Sequence, residues 1–288
     1  MSQISPILPT VLTSGNRHLS IDRPLVMGIL NLTPDSFYDG GKYSISESVA
    51  VNRVKEMVQQ GAQMIDIGGT SSKPGAAIIN PEEEQERLLP FFEAIRGAVP
   101  EIWISVDTYH SSTARVCLEM GADIVNDISA GTLDEKIFEV SAEFNVPYIL
   151  MHMQGIPGTM QQNPEYNAVV NEVSSFFKER ISKLKLYGVK QIILDPGFGF
   201  GKNLDHNYSL LKHLNSFQKQ FQLPVMAGVS RKSMINKVIH TKPENALNGT
   251  TALHMIALMN GASILRVHDV KEAMQVIQLF EKYKSTGD

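Results

Sequence analysis

The chain has 288 residues, of which 43% are hydrophobic, and a formal net charge of −4 at neutral pH. It is therefore long enough to bury a substantial core, as one large domain or as two small ones. No basic run indicates a nucleic acid or an anionic membrane as a partner, although single cations could still bind a small anion. The lone cysteine, Cys117, excludes an internal disulfide. With no signal-like N-terminus and no 18-residue apolar span, the sequence predicts a soluble protein of the reducing cytoplasm.

The first 23 residues predict a short N-terminal β-hairpin. Residues 10–12 and 18–21 flank the turn-forming residues 13–16. The first core strand follows at residues 25–30, and the turn-rich segment 31–43 leaves it. Because this segment contains Pro and Gly and exceeds the usual strand-to-helix connection, we expect it to be a lid or a binding element.

Helical patterns recur between short apolar runs to the end of the chain. A capping box beginning at Ser44 starts the first helix and Gly61 ends it, while Asn80 caps the second, in which Pro90 predicts a kink. Further helical patterns cover residues 111–120, 133–144, 165–186, 206–220, 245–259 and 270–283. The last of them has a capping box beginning at Asp269.

Eight short apolar runs predict strands. They occupy residues 25–30, 64–67, 103–106, 123–126, 147–151, 192–194, 224–227 and 264–267. Eight β/α units in about 265 residues predict an α/β fold, the (β/α)₈ TIM barrel, as a single domain over residues 1–288 with the hairpin 1–23 as its extension. A doubly wound open sheet is the alternative, but it has fewer strands and, for a dinucleotide, a glycine-rich turn where this chain has Asn31.

Polar side chains stand at the ends of most of these strands. They are Asn31, Asp107, Asn126, Asp127, His152, Asp195, Ser230, Arg231, Lys232, Arg266 and His268. The C-terminal ends of barrel strands converge on one face, so we expect these groups to surround a ligand. Capping of the following helix is the alternative for any one of them, but it does not explain so many together.

One group of these residues suits a flat heterocycle. Asp107, Asn126 and Asp195 offer acceptors and one amide for a ring edge that donates paired hydrogen bonds. Phe198 and Phe200 lie in a glycine-rich loop after the sixth predicted strand. Aromatic rings in such a loop predict a clamp on a flat ligand, with local packing as the alternative.

A second group suits an anion. Arg266, His268 and Lys232 offer charge-assisted donors for a phosphate. Asn31 offers a neutral oxygen to a Mg²⁺ ion bound to that phosphate, with a loop or cap role as its alternative. For His152, between two methionines, a buried core position is the alternative to a catalytic role.

Eight blocks, in order, carry these strand ends. They are GILNLTPDSFYDGG (28–41), IDIGGTSSKPGA (65–76), ISVDT (104–108), IVNDISAG (124–131), LMHMQGIPGTMQ (150–161), LDPGFGFGKNLDHN (194–207), GVSRKSMI (228–235) and LRVHDVKE (265–272). In these blocks, over about positions 24–280, the chain resembles the dihydropteroate synthases of the pterin-binding enzyme family. A single short block would be weak evidence, whereas eight in order are highly specific.

The resemblance implies a Mg²⁺-dependent transferase of folate biosynthesis, a sulfonamide target and a homodimer, which joins 6-hydroxymethyl-7,8-dihydropterin pyrophosphate to p-aminobenzoate. It implies pterin contacts at Asp107, Asn126, Asp195, Phe200 and Lys232. It implies pyrophosphate contacts at Asn31, Ser72, Arg266 and His268. It implies p-aminobenzoate contacts at Ser72, Pro74, Phe200, Ser230 and Lys232. Asn31 would also hold the Mg²⁺, and the catalytic set would be Asn31, Asp107, Lys232, Arg266 and His268.

One block departs from the family pattern. Where members often have GGESTRPG, this chain has GGTSSKPG, with Thr70, Ser72 and Lys73 replacing Glu, Thr and Arg. Lysine keeps the charge and loses the bidentate fork of arginine, which predicts a less tightly ordered second loop and an unchanged reaction. The nearest alternatives are a methyltetrahydrofolate:corrinoid methyltransferase barrel and a catalytically silent pterin-binding paralogue. Neither has a use for the complete pyrophosphate set.

Overall fold

The computed structural model describes residues 8, 10–32, 46–70, 79–156, 158–161 and 163–286. The predicted N-terminal hairpin is confirmed within them. Strand β1 (Thr10–Ser14) pairs antiparallel with β2 (Arg17–Ile21), and Gly15 takes a positive φ of 54° in the turn. Both strands are slightly longer than predicted.

Eight parallel strands form the main sheet of the described residues. They are β3 (Leu25–Asn31), β4 (Met64–Gly68), β5 (Trp103–Asp107), β6 (Ile124–Asp127), β7 (Tyr148–Met151), β8 (Ile192–Asp195), β9 (Met226–Ala227) and β10 (Ile264–Val267). Their order in the sheet is β8-β7-β6-β5-β4-β3-β10-β9. A parallel bridge between Leu194 and Val225 joins the two ends of this order. The sheet therefore closes on itself, and the predicted (β/α)₈ barrel is confirmed.

Helices fill the connections between these strands. They are α1 (Glu47–Gln59), α2 (Pro81–Ala98), α3 (Ser111–Glu119), α4 (Lys136–Glu143), α5 (Val169–Leu186), α6 (Leu204–Lys212), α7 (Leu214–Phe221), α8 (Ser233–Ile239), α9 (Leu247–Met259) and α10 (Val270–Ser285). Asn80 caps α2 as predicted, and the helix continues through Pro90. None of the helices in the described residues combines the length and the apolar character needed to cross a bilayer.

Four details of the helices differ from the predictions. Ser46, not Ser44, caps α1, because its side chain accepts from the backbone N–H of Val49. The single helix predicted over residues 206–220 is divided at His213 into α6 and α7. Helix α8 was not predicted, since seven residues give too short a periodic pattern. Asp269 makes no capping hydrogen bond to α10, and its carboxylate pairs with Arg231 instead.

The core has two layers because strand side chains alternate between the barrel interior and the helices. The interior layer at the N-terminal ends of the strands is apolar, with Leu25, Met27, Met64, Trp103, Ile124, Ile149, Ile193, Met226 and Ile264. Leu12 and Ile21 of the hairpin belong to the same cluster, so the hairpin closes this end of the barrel. Arg17 of β2 also pairs with the buried Asp123 at 2.7 Å. The closed end leaves the opposite end of the barrel for ligand.

Candidate active site

Toward the C-terminal ends of most strands, the side chains that face the barrel interior are polar. With a period of two residues, the strands whose first interior residues are Met64, Trp103, Ile124, Ile193 and Ile264 next turn polar groups inward. Those groups are Asp66, Ser105, Asp107, Asn126, Asp195 and Arg266. A small cleft lies there, lined by Asp107, Asn126, Ile128, Met151, Asp195, Phe200, Gly228, Lys232 and Arg266. All five pterin contacts implied by the resemblance, Asp107, Asn126, Asp195, Phe200 and Lys232, thus line one cleft.

A buried ion-pair network forms one side of this cleft. Arg266 donates from Nε to Asp66 Oδ2 at 2.6 Å and from Nη2 to Asp107 Oδ2 at 2.9 Å. Asn126 Nδ2 also donates to Asp66 Oδ2, at 2.9 Å. Sequence reasoning missed Asp66, although its place two residues after Met64 in an apolar strand is the signal that could have found it. Asp66 orients both the guanidinium and the amide.

Three acceptor atoms in the cleft have no hydrogen-bond partner among the described residues. They are Asp107 Oδ1, Asn126 Oδ1 and Asp195 Oδ2, whereas Asp195 Oδ1 accepts from the backbone N–H of Gly197 at 2.8 Å. Burial and the charge of Asp66 raise the pKa of Asp107 to about 7, against the opposing charge of Arg266. Burial also raises the pKa of Asp195. The cleft therefore offers acceptors to a ligand that brings donors.

Lys232 is a second cation that lines this cleft. Its Nζ donates to the backbone carbonyl of Phe198 and lies 4.6 Å from the centre of the Phe200 ring. Burial lowers the pKa of Lys232 to about 8, against the attraction of Asp195. The two aromatic residues of the loop have different environments, since Phe200 lines the cleft and Phe198 is fully buried. The clamp prediction therefore applies to Phe200, and local packing describes Phe198.

Ser230 and His268 meet at the adjoining strand ends. Ser230 Oγ accepts from the backbone N–H of His268 at 3.2 Å and lies 3.1 Å from its Nδ1. Burial and the charge of Arg266 lower the pKa of His268 to about 4. This pKa favours a neutral imidazole at pH 7, and the charge-assisted role of His268 toward a phosphate stays a prediction. Arg231, at a positive φ of 55°, forms two 2.8 Å bonds to the Asp269 carboxylate and is held away from the cleft.

Asn31 and the second loop border the same end of the barrel. Asn31 is the last residue of β3, is half-buried and pairs in register with Gly68. Ser72 and Pro74 lie outside the described residues, as do Lys73 and most of the first loop. At the start of the second loop, Thr70 Oγ1 donates to Glu84 Oε1 at 2.5 Å. Thr70, one of the three residues that depart from the family pattern, is therefore an anchor of this loop on α2.

Two polar strand-end residues belong to the scaffold. Asp127 faces the helices and accepts from the backbone N–H groups of Ser129 and Gly131 and from the hydroxyl of Tyr148. His152 is buried, and its Nδ1 lies 3.0 Å from Lys202 Nζ. His152 therefore occupies a buried core position, which the sequence analysis gave as the alternative to a catalytic role.

Comparison with known proteins agrees with this geometry. A family model described as pterin binding enzyme matches residues 27–268. The chain is 46% identical to the dihydropteroate synthase of Escherichia coli K12 over 265 residues, which cover 91% of this chain and 93% of that one. The chain belongs to the pterin-binding enzyme family, among its dihydropteroate synthases.

Solved structures of other dihydropteroate synthases have the same fold as this synthase. The Yersinia pestis enzyme in a sulfonamide drug complex gives a TM-score of 0.90 at 40% identity, covering 96% of this chain and 100% of that one. The Xanthomonas albilineans enzyme in complex with 7,8-dihydropteroate gives a TM-score of 0.86 at 34% identity, covering 96% of this chain and 100% of that one. This synthase is therefore a transferase of folate synthesis that acts on small molecules.

Proposed function

We propose that this synthase joins 6-hydroxymethyl-7,8-dihydropterin pyrophosphate to p-aminobenzoate, giving 7,8-dihydropteroate and pyrophosphate. The observation that carries the proposal is the set of acceptors on Asp107, Asn126 and Asp195, which have no partner within the described part of the chain and lie in one cleft beside Lys232. The pterin edge carries ring N–H and amino donors, which pair with carboxylate and amide oxygens. Lys232 then donates to an acceptor of the ring, and Phe200 covers its flat face.

The pyrophosphate group would lie at Arg266, His268, Asn31 and Ser72. Arg266 uses Nε and Nη2 for carboxylates, so Nη1 is the guanidinium nitrogen without a partner among the described residues. The bond between the pterin methylene carbon and the pyrophosphate oxygen breaks, and the oxygen keeps the electron pair. Arg266 and His268 stabilise the charge that develops on this oxygen, because both donors are fixed before the reaction.

Asn31 would hold the Mg²⁺ ion of the reaction. Within the described residues no hydrogen bond engages the Asn31 side chain, and no group of three His, Cys, Asp or Glu residues could hold a metal alone. One neutral oxygen at the phosphate end of the cleft fits Mg²⁺, which takes few protein ligands and binds substrate phosphates. When bound, the ion supplies further neutralisation of the pyrophosphate charge.

The second substrate would bind at Phe200, Ser230 and Lys232, with Ser72 and Pro74 from the second loop. The neutral aryl amine attacks the pterin methylene carbon late, forms the new C–N bond and then releases a proton to solvent. A dissociative displacement of this kind needs no dedicated general base, because the electron-rich pterin carries the developing cation. The loops hold off water during this step.

We further propose a cytoplasmic homodimer. Large apolar side chains are exposed on the last three helices of the barrel: Val238 and Ile239 on α8, Ile256 on α9, and Leu279 and Tyr283 on α10. A second copy of the chain would cover this surface. Light scattering at micromolar concentration is expected to give twice the 31.9 kDa mass of one chain. A mass of one chain would contradict the dimer.

An assay of pyrophosphate release from both substrates with Mg²⁺ tests the reaction. We expect release that requires p-aminobenzoate and falls at least 10-fold in Asp107→Asn, because a pterin donor then loses its charged acceptor. Asp205→Asn on the exposed face of α6 is the matched control. Absence of release with tight pterin binding would indicate the silent paralogue, and methyl transfer from methyltetrahydrofolate would indicate the methyltransferase.

A further inference from the structure

A buried lysine outside the substrate contacts forms an unusual cluster beside the cleft. Lys202 is 3% exposed, and no carboxylate forms an ion pair with it among the described residues. Burial lowers the pKa of Lys202 well below its usual value, against the attraction of Asp195. Its Nζ lies 2.9 Å from the carbonyl oxygens of Gly197 and Phe200 and 3.2 Å from that of His152. Because a buried ammonium without an ion-pair partner is costly, this arrangement needs a physical reason.

His152 completes the cluster with its side chain. Nδ1 of its ring lies 3.0 Å from Lys202 Nζ, so the ammonium donates and the imidazole is the neutral acceptor. Burial and the charge of Lys202 hold the pKa of His152 at about 2. The ring packs edge-on against Phe176, with centres 4.8 Å apart, and beside Tyr166, whose hydroxyl donates to the carbonyl of Gly201.

The cluster joins two loops that pack too closely to tolerate side chains. A Cβ atom at Gly197 would lie 2.0 Å from the carbonyl oxygen of His152, and one at Gly201 would lie 2.4 Å from that of Gln154. Both glycines have positive φ, 68° and 61°. The carbonyls of Gly197 and Phe200 after β8 and of His152 after β7 converge with His152 Nδ1 on Lys202 Nζ, whose three donors are shared among these four acceptors.

The loop held in this way supplies the surroundings of Lys232. Phe198 presents its carbonyl oxygen to Lys232 Nζ, and the Phe200 ring lies 4.6 Å from the same atom. Lys202 binds the carbonyl of Gly197, which directly precedes Phe198, and the carbonyl of Phe200 itself. A displacement of the loop would therefore move both contacts that fix Lys232.

We propose that Lys202 is a positioning residue for the pterin cleft, whose buried ammonium fixes the loop from Gly197 to Gly201 and, through Phe198 and Phe200, the Lys232 side chain. The proposal deepens the proposed function, since it concerns the pterin contact of Lys232. It requires Lys202 to act on ligand binding through Lys232 and not only on the stability of the fold.

A double-mutant cycle on pterin affinity tests this coupling. Lys202→Met keeps the length of the side chain and removes its donors, and Lys232→Met removes the group on which it acts. In the wild-type background we expect Lys202→Met to weaken binding of dihydropterin pyrophosphate at least 10-fold by calorimetry, well below the unfolding temperature. In the Lys232→Met background we expect less than a 2-fold effect, because coupled residues are not additive.

Equal fold-changes in both backgrounds, or unchanged affinity in folded Lys202→Met, would overturn the proposal. Lys202→Arg provides a second cycle in which a buried cation is kept. Failure of both Lys202 variants to fold would show that Lys202 serves only the stability of the fold, which would also overturn the proposal. Lys212→Met on the exposed face of α6 is the matched control. Pyrophosphate release is measured separately, so its absence from the wild type counts against the reaction while the binding cycle still decides the role of Lys202.

Discussion

The substitution Asp66→Asn tests the charge network of the cleft at the residue that sequence reasoning missed. Asp66 is fully buried, and its Oδ2 accepts from Arg266 Nε at 2.6 Å and from Asn126 Nδ2 at 2.9 Å. An isosteric amide keeps the volume and removes the charge from both bonds. Arg266 retains Asp107 as its partner at 2.9 Å, so the free energy of unfolding falls by less than it would if a buried ion pair were fully broken.

The magnitude follows from the bonds that are lost. Hydrogen bonds to charged groups contribute about 1.5–3 kcal/mol each, and one of the two donors can still bind the new amide oxygen. We therefore expect Asp66→Asn to lower the free energy of unfolding by about 2–3 kcal/mol. The midpoint of thermal unfolding should then fall by roughly 4–8 °C.

The same substitution should change the pH dependence of pterin binding. The charge of Asp66 is the second largest cause of the raised pKa of Asp107, after burial. Asp107 must be ionised to accept from the pterin, so in the wild type affinity is lost as the pH falls through about 7. Without the neighbouring charge, the pKa of Asp107 falls, and the acid limb of binding moves to lower pH.

Calorimetry of dihydropterin pyrophosphate binding between pH 5 and 8 measures this limb. Ser105→Ala is the matched control, because Ser105 is the register neighbour of Asp66 and its buried hydroxyl has no hydrogen-bond partner. The control should leave the limb in place. An acid limb that is identical in Asp66→Asn and wild type would refute the assigned coupling between the two carboxylates.

Three further substitutions test separate parts of the site. Asn31→Ala should abolish Mg²⁺-dependent turnover and preserve pterin affinity; unchanged turnover would remove the metal role. Thr70→Val should lower the free energy of unfolding by about 1–3 kcal/mol and raise the KM for p-aminobenzoate, because the buried Glu84 loses a donor, whereas Thr70→Ser should resemble wild type in both. His254 is 1% exposed, neither of its ring nitrogens has a hydrogen-bond partner in the described ranges, and burial lowers its pKa to about 4. As the pH falls, His254 is protonated in the unfolded chain before it is protonated in the folded chain. This difference should lower the free energy of unfolding by on the order of 3 kcal/mol between about pH 6.5 and pH 4. His254→Leu should flatten that part of the thermal unfolding profile, and an unchanged profile would contradict the assignment.

The sequence predicts the site residues whose position depends only on a strand end. Asp107, Asn126 and Asp195 each follow a short apolar run, and parallel strands in a closed barrel bring their C-terminal ends together. Asp66 was missed because a single carboxylate inside an apolar run looks like part of the strand. Alternation locates it afterwards, since Met64 faces the interior and the residue two positions later must do the same.

Side-chain partners across the barrel are less accessible to sequence reasoning. Arg231 stands between two residues predicted to contact substrate, yet its side chain reaches Asp269 on the next unit, 38 positions away. The direction of a long side chain depends on which distant carboxylate comes within reach, and no local pattern encodes that distance. The same limit applies to Arg266, which was assigned to the pyrophosphate alone and also binds two carboxylates of the pterin cleft.

The electrostatic design of the site follows from which polar atoms have partners inside the protein. The barrel interior changes from an apolar layer to three carboxylates and the Arg266 guanidinium within two to four residues along the strands, about 7–13 Å. Buried charges persist only when they are paired or hydrogen-bonded, and Asp66, Arg266 and Lys232 each have a partner. Asp107, Asn126 and Asp195 each keep one acceptor free of protein partners among the described residues. Since these acceptors are already fixed, a pterin that brings its own donors completes the pairing without reorganising the site.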